Sequence, residues 1–313
     1  MNAIQIEGLT KSFGKFRALD GLTLSVEAGA VFGFLGPNGA GKTTTLRILT
    51  GLAHADGGHA WLDGLEVGKS AEIPARIGYL PEDPAFYPWM TGMEALDTFC
   101  QIHGIAQPER KRRVGELLEL AGLTEAGKRR VGGYSRGMKQ RLGLAQALIH
   151  RPKVLLLDEP ASALDPAGRK EVLSLIEGLR GQCTVFMSTH ILADVERICD
   201  TVAIIDHGQL VINAPREALI TRYAIPMLAL EVDGVDQLAN LAAEVRQMAW
   251  TTAVEVDNRR LTVTVNDLAT AQRELLKLAV AAGLVVTHYE QVKPSLENVF
   301  LRIVANGKEE RQS

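Results

Sequence analysis

Between an apolar run, Val31–Leu35, and a helix-favouring stretch, TTTLRILTGL, the chain reads Gly36-Pro37-Asn38-Gly39-Ala40-Gly41-Lys42-Thr43. No other feature limits the fold so strongly. The pattern GxxxxGK[ST] places glycines where the backbone must curl with its N–H groups turned inward. A strand has to deliver the chain into that curl and a helix has to leave it. Inward N–H groups and the positive end of the helix dipole together form a cradle for phosphate oxygens. Lys42 is placed to reach the outer phosphates and the Thr43 hydroxyl to ligate Mg²⁺. With ordinary residue usage such a match arises by chance in roughly one chain in a hundred. A merely flexible glycine turn would also not need a strand before it and a helix after it. Gly36, Pro37, Asn38, Gly39, Ala40, Gly41, Lys42, Thr43 and Thr44 are therefore the expected contacts of a bound nucleotide.

The surrounding pattern agrees with such a loop. Val154–Leu157, Thr184–Met187 and Val202–Ile205 are continuous apolar runs, as strands buried on both faces require. Alternating with helix-like segments, they predict an α/β domain over 1–220 around a mainly parallel sheet. The first of these runs ends in Asp158-Glu159-Pro160. That position is the carboxyl edge of the sheet, where open α/β folds bind ligands. Asp158 is expected to hold Mg²⁺ through its water shell, and Glu159 to polarise an attacking water. Alone, an acid pair at a loop start would be read as solvated surface. Beside a phosphate loop, a division of labour is the better reading.

Past Arg222–Pro226 the texture changes. Leu228, Leu230 and Val232 alternate with Ala229, Glu231 and Asp233, the period of a half-buried strand. A helix-like stretch, Val235–Met248, follows. Two alternating strands, Ala253–Val256 and Leu261–Val265, precede a helix over Asp267–Ala282 and a strand over Leu284–Tyr289. The order βαββαβ predicts a small ferredoxin-like α+β domain over 227–305, with no cluster of reactive side chains. PSLENVFLRIV, from Pro294, is expected to be helical and the charged tail 306–313 to fray.

Charge and composition exclude several functions. A net charge of −3 gives no global drive toward nucleic acid. Cys100, Cys183 and Cys199 form no paired framework, which suits a reducing compartment. The opening MNAIQIEGLTKSFG lacks the profile of a secretory signal. No window holds the roughly 20 apolar residues of a membrane helix, since the nearest, Leu275–Val286, is broken by Lys277 and Gly283. Any membrane step would need another chain. The clusters Arg110–Arg113 and Lys128–Arg130 read as solvated faces, and the histidines show no metal-ligand spacing.

In their order, these motifs resemble the ABC ATPase family over about the first 220 residues. The family's signature loop, LSGGQ, is similar to Tyr134-Ser135-Arg136-Gly137-Met138, and its D-loop to Ser162-Ala163-Leu164-Asp165. His190, in Ser188-Thr189-His190, occupies the switch-histidine position, and Phe13 the place of an aromatic that stacks on adenine. Two residues depart from the pattern. Glu82, in Ile77-Gly-Tyr-Leu-Pro-Glu82, stands for the Q-loop glutamine, and Arg136 for a signature glycine. A carboxylate ligates Mg²⁺ more strongly than an amide but cannot donate a hydrogen bond. Both variants, and the additional C-terminal domain, resemble the branch of single-cassette ATPases that serve drug, antibiotic or polymer exporters.

The resemblance implies a homodimer that sandwiches two ATPs, each phosphate loop facing the other copy's signature loop. Ser135 and Gly137 would then supply a second anion-binding helix terminus. ATP and Mg²⁺ are the implied cofactors, with Glu159, His190 and Lys42 catalytic and Thr43, Asp158 and Glu82 on the metal. A separate integral membrane permease is the implied partner, which would hold the chain at the cytoplasmic face of the membrane. Phe86, Tyr87 and Trp89 would meet that partner, or equally pack over a helical subdomain at about 92–150. Nucleic acid is not an expected partner. A soluble ABC ATPase acting on nucleic acid or ribosomes remains the alternative. The single cassette and the lack of a heptad stretch between Thr44 and Ser135 weigh against it. A non-catalytic sensor would need neither Glu159 nor His190.

Overall fold

The structure, a computed structural model, describes residues 1–223, 226–233 and 237–292. The segment from Pro294 and the tail 306–313 lie outside the described residues, as does the expected helix start at Val235. Contacts divide the chain into two units, Met1–Arg216 and Glu217–Ser313.

The first unit opens with β1 (Asn2–Phe13), β2 (Phe16–Glu27) and β3 (Val31–Leu35), then α1 (Lys42–Leu49). β4 (Gly57–Leu62), β5 (Leu65–Glu66), α2 (Ile73–Arg76) and β6 (Ile77–Leu80) follow. Next come three helices, α3 (Gly92–Ile102), α4 (Gln107–Leu120) and α5 (Arg136–Ala147). The chain then alternates through β7 (Val154–Asp158), α6 (Pro166–Gly178), β8 (Thr184–Thr189), α7 (Leu192–Ile198) and β9 (Thr201–Asp206). β10 (Gln209–Pro215) completes this run, and α8 (Arg216–Tyr223) belongs, apart from its first residue, to the second unit.

The apolar runs form a six-stranded sheet ordered β10-β9-β3-β8-β7-β6, parallel except for β10. β3, β7 and β8 are buried along their whole length, which is why their sequences are apolar without alternation. Phe32 and Phe34 pack on Phe186 with ring centres 5.2 and 5.1 Å apart. Each such buried ring contributes roughly 1.5–3 kcal/mol. A second, antiparallel sheet, β2-β1-β4-β5, shares this core through Ile4, Ile6, Leu22 and Leu62. Register decides where function can sit. Leu35 lies opposite Thr189, and Asp158 opposite Ser188, so three adjacent strands end in one row.

In the second unit α8 is followed by β11 (Met227–Asp233), α9 (Leu238–Arg246), β12 (Thr251–Asp257), β13 (Arg260–Val265), α10 (Leu268–Ala281) and β14 (Val285–Val292). Their sheet runs β12-β13-β11-β14 with antiparallel neighbours throughout, the expected ferredoxin-like arrangement. Leu228, Leu230 and Val263 meet Leu241, Val245 and Leu275 in its core. Asp267 caps α10 by accepting from the Thr270 N–H. Among the described residues no helix is long and apolar enough to cross a membrane.

Candidate active site

The glycine-rich loop leaves β3 and enters α1 at Lys42. Its close approach to the rest of the unit explains the residue types. A Cβ on Gly36 would collide with the Ile205 carbonyl, and one on Gly41 would lie 2.6 Å from the Ala18 carbonyl oxygen. Gly41 also has φ 108°, beyond what L side chains adopt without strain. Pro37, Asn38 and Gly39 are exposed at the crest, while Ala40 and Gly41 are buried and Thr43 and Thr44 half-buried. The Lys42 ammonium folds under the crest and donates to the carbonyls of Gly36 at 2.8 Å and Pro37 at 3.2 Å.

β7 and β8 bring the acids to the same row. Ser188 donates its hydroxyl proton to Asp158 Oδ1 at 2.6 Å, and Thr43 donates to the same oxygen at 3.3 Å. Glu159 follows at φ 48°, in the left-handed region that non-glycine residues seldom occupy. Its N–H donates to the Ser188 carbonyl at 3.1 Å and to the Ser188 hydroxyl at 3.2 Å. The turn is closed by Ser162, whose hydroxyl donates to the Glu159 carbonyl at 3.0 Å. The Glu159 carboxylate then spans two groups. Oε1 lies 3.3 Å from the Lys42 ammonium and Oε2 lies 2.9 Å from His190 Nδ1. Asp158, Glu159 and Lys42 are only 2%, 7% and 6% exposed, so water screens these charges weakly. His190 itself is exposed.

Around this cluster, Arg169 on α6 donates to Asp194 Oδ1 on α7 at 2.7 Å. Burial pushes the Asp194 carboxyl up from its ordinary value, the Arg169 guanidinium pulls it down, and the Glu159 charge adds to the rise. Burial pushes the Tyr79 phenol up as well, with the nearby Asp158 charge adding to it. The Cys183 thiol is pushed up to about 11 by burial, and burial raises that of Cys199 further, so neither is a nucleophile at neutral pH.

Lys42, Thr43, Asp158, Glu159 and His190 are thus brought together as the sequence expected. None of Phe13, Glu82, Ser135 and Gly137 is bonded to that cluster. Phe13 is an exposed ring at the end of β1, with the Lys11 ammonium 5.4 Å from its centre. Ser135 caps α5, accepting from the Met138 N–H at 3.2 Å, with Gly137 in the first turn. Glu82 is exposed, and its link to the cassette is its own carbonyl, which accepts from the Gln140 amide at 3.1 Å. The Ser188 hydroxyl carries two bonds to the acids that the motifs do not assign. The signal was available: a hydroxyl that follows three apolar residues in a buried strand must find a partner. Nearby, Tyr87 and Trp89 are exposed with ring centres 4.8 Å apart, and Phe86 is half-buried.

Residues 19–162 match the ABC transporter family, and residues 221–304 match the C-terminal domain of DrrA1-3-like ATP-binding proteins. The ABC transporter ATP-binding protein YxlF of Bacillus subtilis is 40% identical over 301 residues, covering 96% of this chain and 99% of YxlF. The chain belongs to the ABC transporter ATP-binding proteins. Another relative of this ABC protein is the bacitracin transport ATP-binding protein BcrA of Bacillus licheniformis. It is 37% identical, with 97% of this chain and 98% of BcrA aligned. Among solved structures, cbiO1 of Clostridium perfringens, part of the ABC transporter complex cbiONQ, superposes with a TM-score of 0.65 at 24% identity. That likeness, over 70% of this chain and 91% of cbiO1, is one of fold. As an ABC cassette the chain is a nucleotide-binding ATPase subunit of a transporter, and the soluble alternative on nucleic acid or ribosomes is not favoured.

Proposed function

We propose that this ABC ATPase hydrolyses ATP between two copies of itself, with Mg²⁺, and so powers export through a separate membrane permease. The observation that carries the reading is the buried Glu159 carboxylate, held between the Lys42 ammonium and His190 Nδ1 at the mouth of the phosphate loop. In this reading the loop from Gly36 to Thr44 wraps the phosphates, and the exposed Phe13 ring stacks on the base. The hydroxyl of Thr43 and the carboxylate of Asp158, 3.3 Å apart, are the hard oxygen donors that Mg²⁺ favours. Bound there with the nucleotide, the metal would neutralise phosphate charge.

Glu159 acts as the base. It accepts a proton from water while the water oxygen bonds to the γ-phosphorus and the bond from that phosphorus to the bridging oxygen breaks. ADP, inorganic phosphate and one proton result. Burial limits bulk water around the carboxylate, and His190 fixes the orientation of its oxygens. Ser135 and Gly137 at the start of α5 offer the second copy's contact to the γ-phosphate. ATP then binds the closed pair better than ADP does, and hydrolysis shifts the population toward open.

Tyr87 and Trp89 are the surface on which we place the permease, at the cytoplasmic face of the membrane. Export is supported by the likeness to a bacitracin transport protein and to the DrrA-type C-terminal domain. The test is ATP turnover and sizing in Mg-ATP for wild type and Glu159→Gln. Turnover at least ~100-fold lower in the variant, with ATP retained and a larger ATP-dependent species, is expected. Equal turnover in the two proteins overturns the reading.

A further inference from the structure

Ser188, the penultimate residue of β8, is at 0% exposure and follows three apolar residues, Val185, Phe186 and Met187. A hydroxyl in such surroundings is destabilising unless it is hydrogen-bonded. In most buried strands the partner would be a nearby carbonyl. Here both partners belong to the acid pair of the neighbouring strand: Asp158 Oδ1 at 2.6 Å and the Glu159 N–H at 3.2 Å. A serine hydroxyl has one proton to give and lone pairs to receive. Since Glu159 N–H can only donate, the proton of Ser188 goes to Asp158. The chain of bonds therefore has one direction, from the Glu159 amide through the Ser188 oxygen to the Asp158 carboxylate.

Two consequences follow at the acids. Asp158 Oδ1 receives two hydroxyl donors, Ser188 and Thr43, while among the described residues no side chain or backbone group donates to Oδ2. The two oxygens of one carboxylate are thereby made unequal, and its rotamer is fixed. At Glu159 the left-handed φ of 48° is held by the paired acceptors of Ser188, its carbonyl and its hydroxyl. One side chain thus sets both the aim of Asp158 and the turn that presents Glu159.

We propose that Ser188 is a positioning residue that couples the metal-binding acid to the general base, so that metal affinity and water activation depend on one hydroxyl. This rests on the roles proposed above for Asp158 and Glu159. Partners that orient a ligand carboxylate typically change metal affinity or activity by about 10- to 100-fold when removed. Ser188→Ala deletes a single oxygen from a packed site, and Ser188→Thr keeps the hydroxyl on a side chain that suits a strand.

The experiment titrates Mg²⁺ against binding of a fluorescent ATP analogue, with and without chelator, and measures turnover alongside. For Ser188→Ala the Mg²⁺ half-saturation point is expected to rise about 10-fold or more, with metal-free binding unchanged and turnover down by a similar factor. Ser188→Thr is expected to recover both. An unaltered Mg²⁺ midpoint in Ser188→Ala overturns the proposal. So does loss of metal-free binding in both variants, which marks damage to packing. Wild-type binding that ignores Mg²⁺ overturns the reading of the site as a whole, and Ser188 with it.

Discussion

The Lys42 ammonium lies 3.3 Å from Glu159 Oε1, with both side chains at least nine-tenths buried. Removing one member of a buried pair leaves the other without compensation, whereas removing both does not. Lys42→Met is expected to destabilise the cassette by about 2 kcal/mol, because His190 still contacts Glu159. Adding Glu159→Gln should recover most of that loss. Denaturant melts of the two single variants and the double give the coupling directly, and strict additivity counts against a meaningful pair.

His190 reaches the site through one bond, Nδ1 to Glu159 Oε2 at 2.9 Å, and its own side chain is exposed. Its removal should therefore spare the fold and strike the chemistry. We expect His190→Ala to lower ATP turnover by about 100-fold or more with ATP affinity within about threefold of wild type. A parallel drop in affinity would instead assign the histidine to binding.

Two glycines of the loop separate strain from crowding. Gly39 has φ 82° and open space where a Cβ would go, whereas Gly41 combines φ 108° with the Ala18 carbonyl 2.6 Å from that Cβ. Gly39→Ala should cost about 1–2 kcal/mol, the ordinary left-handed penalty. Gly41→Ala should cost at least ~2 kcal/mol more and weaken ATP binding. Thermal melts and nucleotide titrations rank the two, and equal effects would contradict the packing described.

Burial lowers the pKa of His150 below its ordinary 6.5, with its bond to the Ile77 carbonyl pulling the other way and His103 and Arg113 adding to the fall. The folded state then binds fewer protons than the unfolded state below pH 6.5. Stability gained by keeping the ring neutral is present above that value and shrinks as pH falls through it. Melts between about pH 7.5 and about pH 5.5 should show a loss that His150→Gln flattens. A slope that survives the substitution places the titrating group elsewhere.

The parts legible in the sequence were those with local causes. The phosphate loop declares itself because its glycines are imposed over eight residues, and β3, β7 and β8 because burial on both faces leaves nothing but apolar residues. Alternation revealed β11 and β13 with equal directness. The antiparallel sheet was not read, and the reason lies in β1. Register shifts between Ile6 and Leu9, and again after Leu9 and Lys11, interrupt the period of two on which such a reading depends. Ser188 was read only as part of a motif, because its partners lie 29 and 30 residues away and are chosen by register. Glu82 shows the opposite limit. Its position in the motif leads to an expectation about its side chain, whereas the contact that tertiary packing makes is to its carbonyl, from the Gln140 amide, which no motif foretells.

The shared row at the ends of β3, β8 and β7 has a consequence for how this cassette can vary over generations. Because side chains alternate across a strand, inserting or deleting one residue inside β8 would send Ser188 and Thr189 to opposite faces and unpair Asp158 at a stroke. Substitutions there can be tried one at a time, but length changes cannot. The segments between β5 and α2 or between α3 and α4 are under no such constraint. Lineages of this cassette should therefore differ freely in the length of their connections while the distance along the chain from each strand's start to its last residue stays frozen.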